Sequence, residues 1–138
     1  MGSSRLPGKV MKKILGKPLI GHMIGRVKSS RLIGNIVVAT TVNKDDDILA
    51  DYAQKMNVQT YRGSESDVLS RFYNAAKIFG AKHIMRLTAD CPLIDPDLLD
   101  ELIDFYACSQ YDYVSNCHIT RLPDGLDAEL FSFRALVH

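Results

Sequence analysis

A chain of 138 residues, 46% of them hydrophobic, is long enough to bury one core and too short for two independent ones. No apolar run approaches the roughly 20 residues that cross a bilayer, and Met1 is not followed by the basic and apolar regions of a signal peptide, so a single cytoplasmic domain over residues 1–138 is expected. The net charge of +1 hides a gradient, since nine Lys and Arg precede the first acidic residue, Asp45, whereas sixteen acidic residues face eight basic ones after it; this suggests an anion-binding N-terminal edge.

In chain order, Pro18 suits a first helical position, and Leu19, Ile20, Met23, Ile24 and Val27 recur at helical spacing for about three turns. Residues 35–41, Asn-Ile-Val-Val-Ala-Thr-Thr, form a short β-branched run after Gly34 and predict a buried strand. Asn43 or Asp45 can cap a second helix whose Ile48, Leu49, Tyr52, Ala53 and Met56 share one face. A strand over 58–61 follows. Ser64 or Ser66 can cap a third helix, with Val68, Leu69, Phe72, Tyr73, Ala76 and Phe79 on one side and Gly80 at its end. Residues 83–88 predict another strand, and Pro96 opens a fourth helix lined by Leu98, Leu99, Leu102, Ile103 and Tyr106. Two more strands are expected at 111–115 and 128–133, the latter alternating in polarity like a partly exposed one.

Strands alternating with helices imply a doubly wound α/β fold with a mostly parallel sheet. Ligands in such sheets bind at loops leaving the carboxyl ends of the strands, which directs attention to residues 40–45, 62–67 and 89–95. One feature breaks the pattern: the loop at residues 2–9 precedes a helix but follows no strand, so a βα unit lacks its β and truncation at both ends is expected.

Gly2-Ser3-Ser4-Arg5-Leu6-Pro7-Gly8-Lys9 combines glycines, hydroxyls and two cations in one loop. Glycines let backbone N–H groups approach an anion, while Arg and Lys neutralise phosphate charge. It is not a P-loop, because Val10 follows Gly8-Lys9 where Ser or Thr is required. A plain basic turn is the competing reading. The run resembles the signature loop of cytidylyltransferases that activate acidic sugars, especially those of spore-coat polysaccharide biosynthesis; related enzymes make CMP-activated neuraminate-like and octulosonate sugars. The resemblance continues through Gly63-Ser-Glu-Ser-Asp-Val-Leu-Ser-Arg71, Arg86-Leu-Thr-Ala-Asp-Cys-Pro-Leu-Ile-Asp95 and Pro123-Asp-Gly-Leu-Asp-Ala-Glu129, in order along nearly the whole chain.

The resemblance implies the sheet of the nucleotide-diphospho-sugar transferases, lacking its first strand, and transfer of CMP from CTP to an acidic sugar. Arg5 and Lys9 would hold the triphosphate together with Gly2, Ser3 and Ser4, and Asp90 would bind Mg2+. Ser64, Asp67 and Arg71 would meet cytidine, although capping or solvation explains them equally well. Asp127 and Glu129 would face the acceptor sugar or a second metal, with a surface pair beside an edge strand as the alternative.

Other features have plainer readings. Asp45-Asp46-Asp47 is explained by the helix dipole. His22, His83 and His118 share no spacing with metal-ligating groups, and Cys91, Cys108 and Cys117 are expected to be free thiols. The relatives carry a strand ending in Gln-Ala-Arg before the position of Met1, and a C-terminal part that helps bind the acceptor and supports a homodimer. A catalytically weak nucleotide-binding or interaction module and a glycosyltransferase of similar architecture are the alternatives. Nucleic acid ranks last, because the basic segment lacks interleaved aromatics.

Overall fold

The computed structural model describes residues 6–117 and 122–137; the expectations for Gly2, Ser3, Ser4, Arg5 and His118 fall outside them. A 3₁₀ turn at Lys9–Met11 follows Gly8, which sits in the left-handed region at φ 66°. A hairpin comes next, β1 (Lys13–Ile14) paired with β2 (Lys17–Pro18). Leu15 and Gly16 at its tip have φ of 48° and 80°, the double positive φ of a type I′ turn.

Helix α1 (Leu19–Val27) starts directly after Pro18 and buries Ile20, Met23, Ile24 and Val27 as its spacing predicts. Gly21 lets it lie close to α2 (Asp47–Lys55), for a Cβ there would stand 2.3 Å from the Tyr52 hydroxyl. Strands β3 (Val37–Thr41) and β4 (Gln59–Gly63) pair in parallel, from Val37 opposite Gln59 to Thr41 opposite Gly63. The crossover between them is α2, whose Leu49 and Ala53 enter the core with Val58. Neither Asn43 nor Asp45 caps α2 through its side chain. Instead a 3₁₀ turn at Lys44–Asp46 precedes it, and buried Asp46 turns back to accept hydrogen bonds from Thr40 Oγ1 (2.6 Å), Thr41 N (2.9 Å) and Thr41 Oγ1 (2.6 Å).

Helix α3 (Val68–Ile78) is capped by Asp67, which accepts from Ser70 N at 2.8 Å, and not by Ser64 or Ser66. Of its expected apolar face, Ala76 is buried, but Val68 and Leu69 are exposed. Strand β5 (His83–Arg86) leads through a long loop to α4 (Pro96–Cys108), where Asp95 caps and Pro96 opens the first turn. Strands β6 (Tyr113–Ser115) and β7 (Glu129–Ser132) and the short α5 (Phe133–Val137) complete the order.

The expected mostly parallel sheet is corrected. β7 lies between β5 and β6 and is antiparallel to both, so the described strands form one parallel pair, one antiparallel triplet and the small hairpin. β7 is therefore central in its triplet, and Leu130 and Phe131 are both buried where alternation suggested a half-exposed strand. β3 departs in the other direction. Its Val37, Val38 and Ala39 are only half-buried, because an open cleft of about 980 Å³ separates β3 from β5.

The segment after α1 is fastened to α4 by one buried carboxylate. Asp100 Oδ1 accepts from Ser30 Oγ and Leu32 N, and Oδ2 from Arg31 N and Nε.

Candidate active site

The loop after β5 carries the candidate metal residue, and its course is set by its ends. Ile94 is fully buried and its carbonyl accepts from Arg26 Nε of α1 at 2.5 Å, while Asp95 is committed to the α4 cap. Between these anchors and β5, Asp90 stays about one-third exposed at the strand's carboxyl end. The Lys9 ammonium, 81 residues away in sequence, forms an ion pair with its carboxylate. This hydrogen bond from Lys9 holds Asp90 below the usual carboxylate range against the opposing effect of burial, with Thr88 assisting. Asp90 is therefore ionised throughout the neutral range. Beside it the buried Cys91 thiol contacts Thr88 Oγ1 at 3.1 Å, and burial pushes its pKa up, so it sits as a neutral thiol and not as a nucleophile.

Thr88 also lines a smaller pocket of about 270 Å³, together with Arg86, Cys117, Asp124, Asp127, Ala128 and Glu129. Glu129 accepts from Arg86 and from Tyr113 Oη at 2.7 Å. Asn116 clamps the loop from both sides, donating through Nδ2 to Leu126 O (2.9 Å) and accepting from Ala128 N (2.7 Å) through Oδ1. Lys9 and Asp90 thus meet directly, while Asp127 and Glu129 line the smaller pocket whose wall includes Thr88.

Ser64, Asp67 and Arg71 gather at the carboxyl end of β4, but as a capping network. Ser64 Oγ accepts from Asp67 N at 3.1 Å, and Arg71 Nη1 donates to Ser64 O at 2.7 Å, while the buried Arg71 Nε has no partner among the described residues. No hydrogen bond joins this cluster to Lys9 or Asp90 among the described residues. Within the acidic run, Asp46 is structural and Asp47 pairs with Arg62 at 2.6 Å.

The family model for cytidylyltransferases matches residues 1–136. The chain belongs to the cytidylyltransferase family. It is 36% identical over 143 residues to the spore coat polysaccharide biosynthesis protein SpsF of Bacillus subtilis, an alignment covering 99% of this chain and 58% of that protein. It is also similar to a cytidylyltransferase structure from Leptospira borgpetersenii serovar Hardjo-bovis, with 37% identity, a TM-score of 0.93, and coverage of 99% of this chain and 58% of that one. The structure of a CMP:2-keto-3-deoxy-manno-octonic acid synthetase complexed with CTP shares the fold at a TM-score of 0.77 and 19% identity, covering 99% of this chain and 72% of the other. The chain spans a little over half the length of the curated relatives it matches.

Three residues of this candidate site carried no role in the sequence analysis. Arg86 is an arginine ending an apolar strand, a position where a charge needs a reason, and it neutralises Glu129. Asn116 and Tyr113 left no such signal, because their roles depend on β6 lying beside the 124–128 loop. The donor set also suits magnesium. Among the described residues no three His, Cys, Asp or Glu converge as a closed cage, yet the partly exposed Asp90 carboxylate meets the requirement of an ion that takes one or two carboxylates and leaves its other positions to water and phosphate.

Proposed function

We propose that this chain forms the nucleotide-binding part of an enzyme that transfers CMP from CTP to an acidic sugar for surface or spore-coat polysaccharide biosynthesis, releasing pyrophosphate. The observation that carries the reading is the Lys9–Asp90 pair, which sets a cation of the N-terminal loop beside a carboxylate at a strand's carboxyl end. A triphosphate needs cationic charge and a divalent ion within one small volume, and the pair brings one side chain suited to each. The CTP held by the octonic acid synthetase of the same fold supports the choice of nucleotide.

In the reaction a sugar hydroxyl oxygen attacks the α-phosphorus of CTP, the bond from that phosphorus to the bridging oxygen of pyrophosphate breaks, and the hydroxyl proton leaves to solvent. Positioning and charge stabilisation dominate such transfers. Lys9, with Arg5 of the same loop, neutralises charge on the departing pyrophosphate. Asp90 and Asp127 would hold Mg2+, which supplies Lewis-acid stabilisation of phosphate charge. Asp124, Asp127 and Glu129, with Arg86 beside them, form the acceptor side, and Asn116 keeps their loop in place. Ser64, Asp67 and Arg71 border the base and ribose.

CTP with magnesium is expected to raise the melting temperature more than UTP or ATP at equal concentration, because a ligand bound only by the folded state stabilises it by an amount that grows as the logarithm of one plus its concentration over its Kd. Equal shifts for the three nucleotides would remove the cytidine assignment. Lys9→Ala is expected to weaken CTP binding about tenfold, consistent with losing one charge-assisted contact of roughly 1.5 kcal/mol. Isothermal titration checks this, and unchanged affinity would take Lys9 out of the site.

A further inference from the structure

Helix α1 touches both halves of the candidate site. At its first turn Leu19 N donates to Lys12 O at 2.9 Å, and one turn further His22 Nε2 donates to Ile14 O at 2.8 Å. These bonds fasten the segment that continues from the 3₁₀ turn of Lys9. Val10 and Met11 of that turn pack against the apolar cluster to which Ile20, Met23, Ile24 and Val27 of the same helix belong. Arg26 lies four residues beyond His22 and so projects from the same side of α1. Its Nε donates to Ile94 O at 2.5 Å, across 68 residues of chain.

The acceptor of that bond is a group that needs a donor. Ile94 is fully buried, so its carbonyl has no water to turn to, and an unpaired buried backbone group is costly. The same residue closes a turn by donating from its own N–H to Cys91 O at 3.3 Å, and Cys91 is buried as well. Asp90 immediately precedes this turn. Residues 91–94 therefore form a small backbone unit, anchored to α1 at its far end and carrying Asp90 at its near end. A shift of this unit along α1 moves the Asp90 carboxylate relative to the Lys9 ammonium, whose own segment the same helix holds.

We propose that Arg26 is a positioning residue of the transfer site: through the Ile94 carbonyl it sets where Asp90 stands relative to Lys9. In this role the guanidinium touches neither nucleotide nor metal. What it supplies is a donor at the place of Nε, and its positive charge is incidental. The inference rests on the reading of Asp90 as the magnesium carboxylate and adds the helix residue that fixes its loop.

Glutamine and methionine separate donor from charge. Both are unbranched, and the glutamine amide nitrogen stands the same number of bonds from Cα as arginine Nε. Arg26→Gln therefore keeps a neutral donor at that place, whereas Arg26→Met keeps only the stem. The experiment is isothermal titration of CTP with and without magnesium on the native chain, both variants and Asp90→Asn, with a thermal melt of each. Arg26 is otherwise exposed, so all are expected to fold. The readout is the factor by which magnesium tightens CTP binding, a coupling between two ligands that a loss of stability alone leaves unmoved. Outer partners of metal ligands contribute roughly 10–100-fold in affinity, so this factor is expected to be at least about tenfold in the native chain and in Arg26→Gln, and no more than about threefold in Arg26→Met and Asp90→Asn. Native coupling in Arg26→Met overturns the proposal. Loss of coupling in Arg26→Gln also overturns it, by assigning the guanidinium charge itself to the ligand. Native coupling retained in Asp90→Asn removes the metal reading and this inference with it, whereas coupling lost in Asp90→Asn but kept in Arg26→Met sinks this inference alone.

Discussion

Asp90→Asn is expected to lower pyrophosphate release from CTP on the order of 10³-fold while leaving the melting temperature within a degree or two. The substitution keeps the size of the side chain and an acceptor for Thr88, and removes the charge. That charge is present across the neutral range, and the bond from Lys9 holds the carboxyl below its ordinary value. Loss of a single preorganised group acting on transition-state charge costs about 10²–10³ in turnover, and the loss of a cation's protein ligand belongs at the upper end. Stability responds differently, since a pair this exposed contributes about 0–1 kcal/mol. Steady-state turnover with thermal melting of the same variant separates the two effects. Unchanged turnover would refute the metal assignment, and a large fall in melting temperature would make Asp90 a structural residue.

Much of the local structure was legible because it depends on local periodicity. Ile20, Met23, Ile24 and Val27 repeat at three and four residues and form the buried face of α1, and Pro96 with Leu99 marks the start and inner face of α4. The β1–β2 hairpin was not legible, since its turn places Leu15 at positive φ where a recognisable signal would be Asn or Gly. Capping also escaped the reading where several candidates adjoin. Ser64, Ser66 and Asp67 all suit an N-cap, and the choice of Asp67 depends on where β4 ends. Strand direction is not encoded in strand composition, so the antiparallel placement of β7 was beyond reach. The same limit applies to the site: residues 89–95 follow from the strand-end rule, but the meeting of Lys9 with Asp90 and of Asn116 with the 124–128 loop is tertiary.

The largest effect on stability is expected at Asp100, far in function from the phosphate loop. Its two carboxylate oxygens receive four donors, namely Ser30 Oγ, Arg31 N, Arg31 Nε and Leu32 N, in a position only 1% exposed. Alanine removes the buried charged acceptor shared by these four partly exposed donors and is expected to cost about 3 kcal/mol, or roughly 10 °C in melting temperature for a domain of this size. Asparagine is expected to be nearly as costly, because either orientation of its amide points an N–H₂ group at donors and only one oxygen still accepts. A simple loss of packing would instead spare asparagine, so near wild-type stability of Asp100→Asn would overturn this account. The sign of the pH dependence follows from the same bonds. The hydroxyl of Ser30, then the Arg31 backbone and side chain, hold the folded-state pKa at about 2 against an ordinary value of 3.8. A depressed pKa means that the unfolded chain takes up the proton first, so the stabilisation is complete above about pH 5 and is lost as the pH falls through 3.8 towards about 2. Denaturant melts between pH 7 and pH 2 are therefore expected to show a steeper acid limb in the native sequence than in Asp100→Ala, the two curves converging at the acid end.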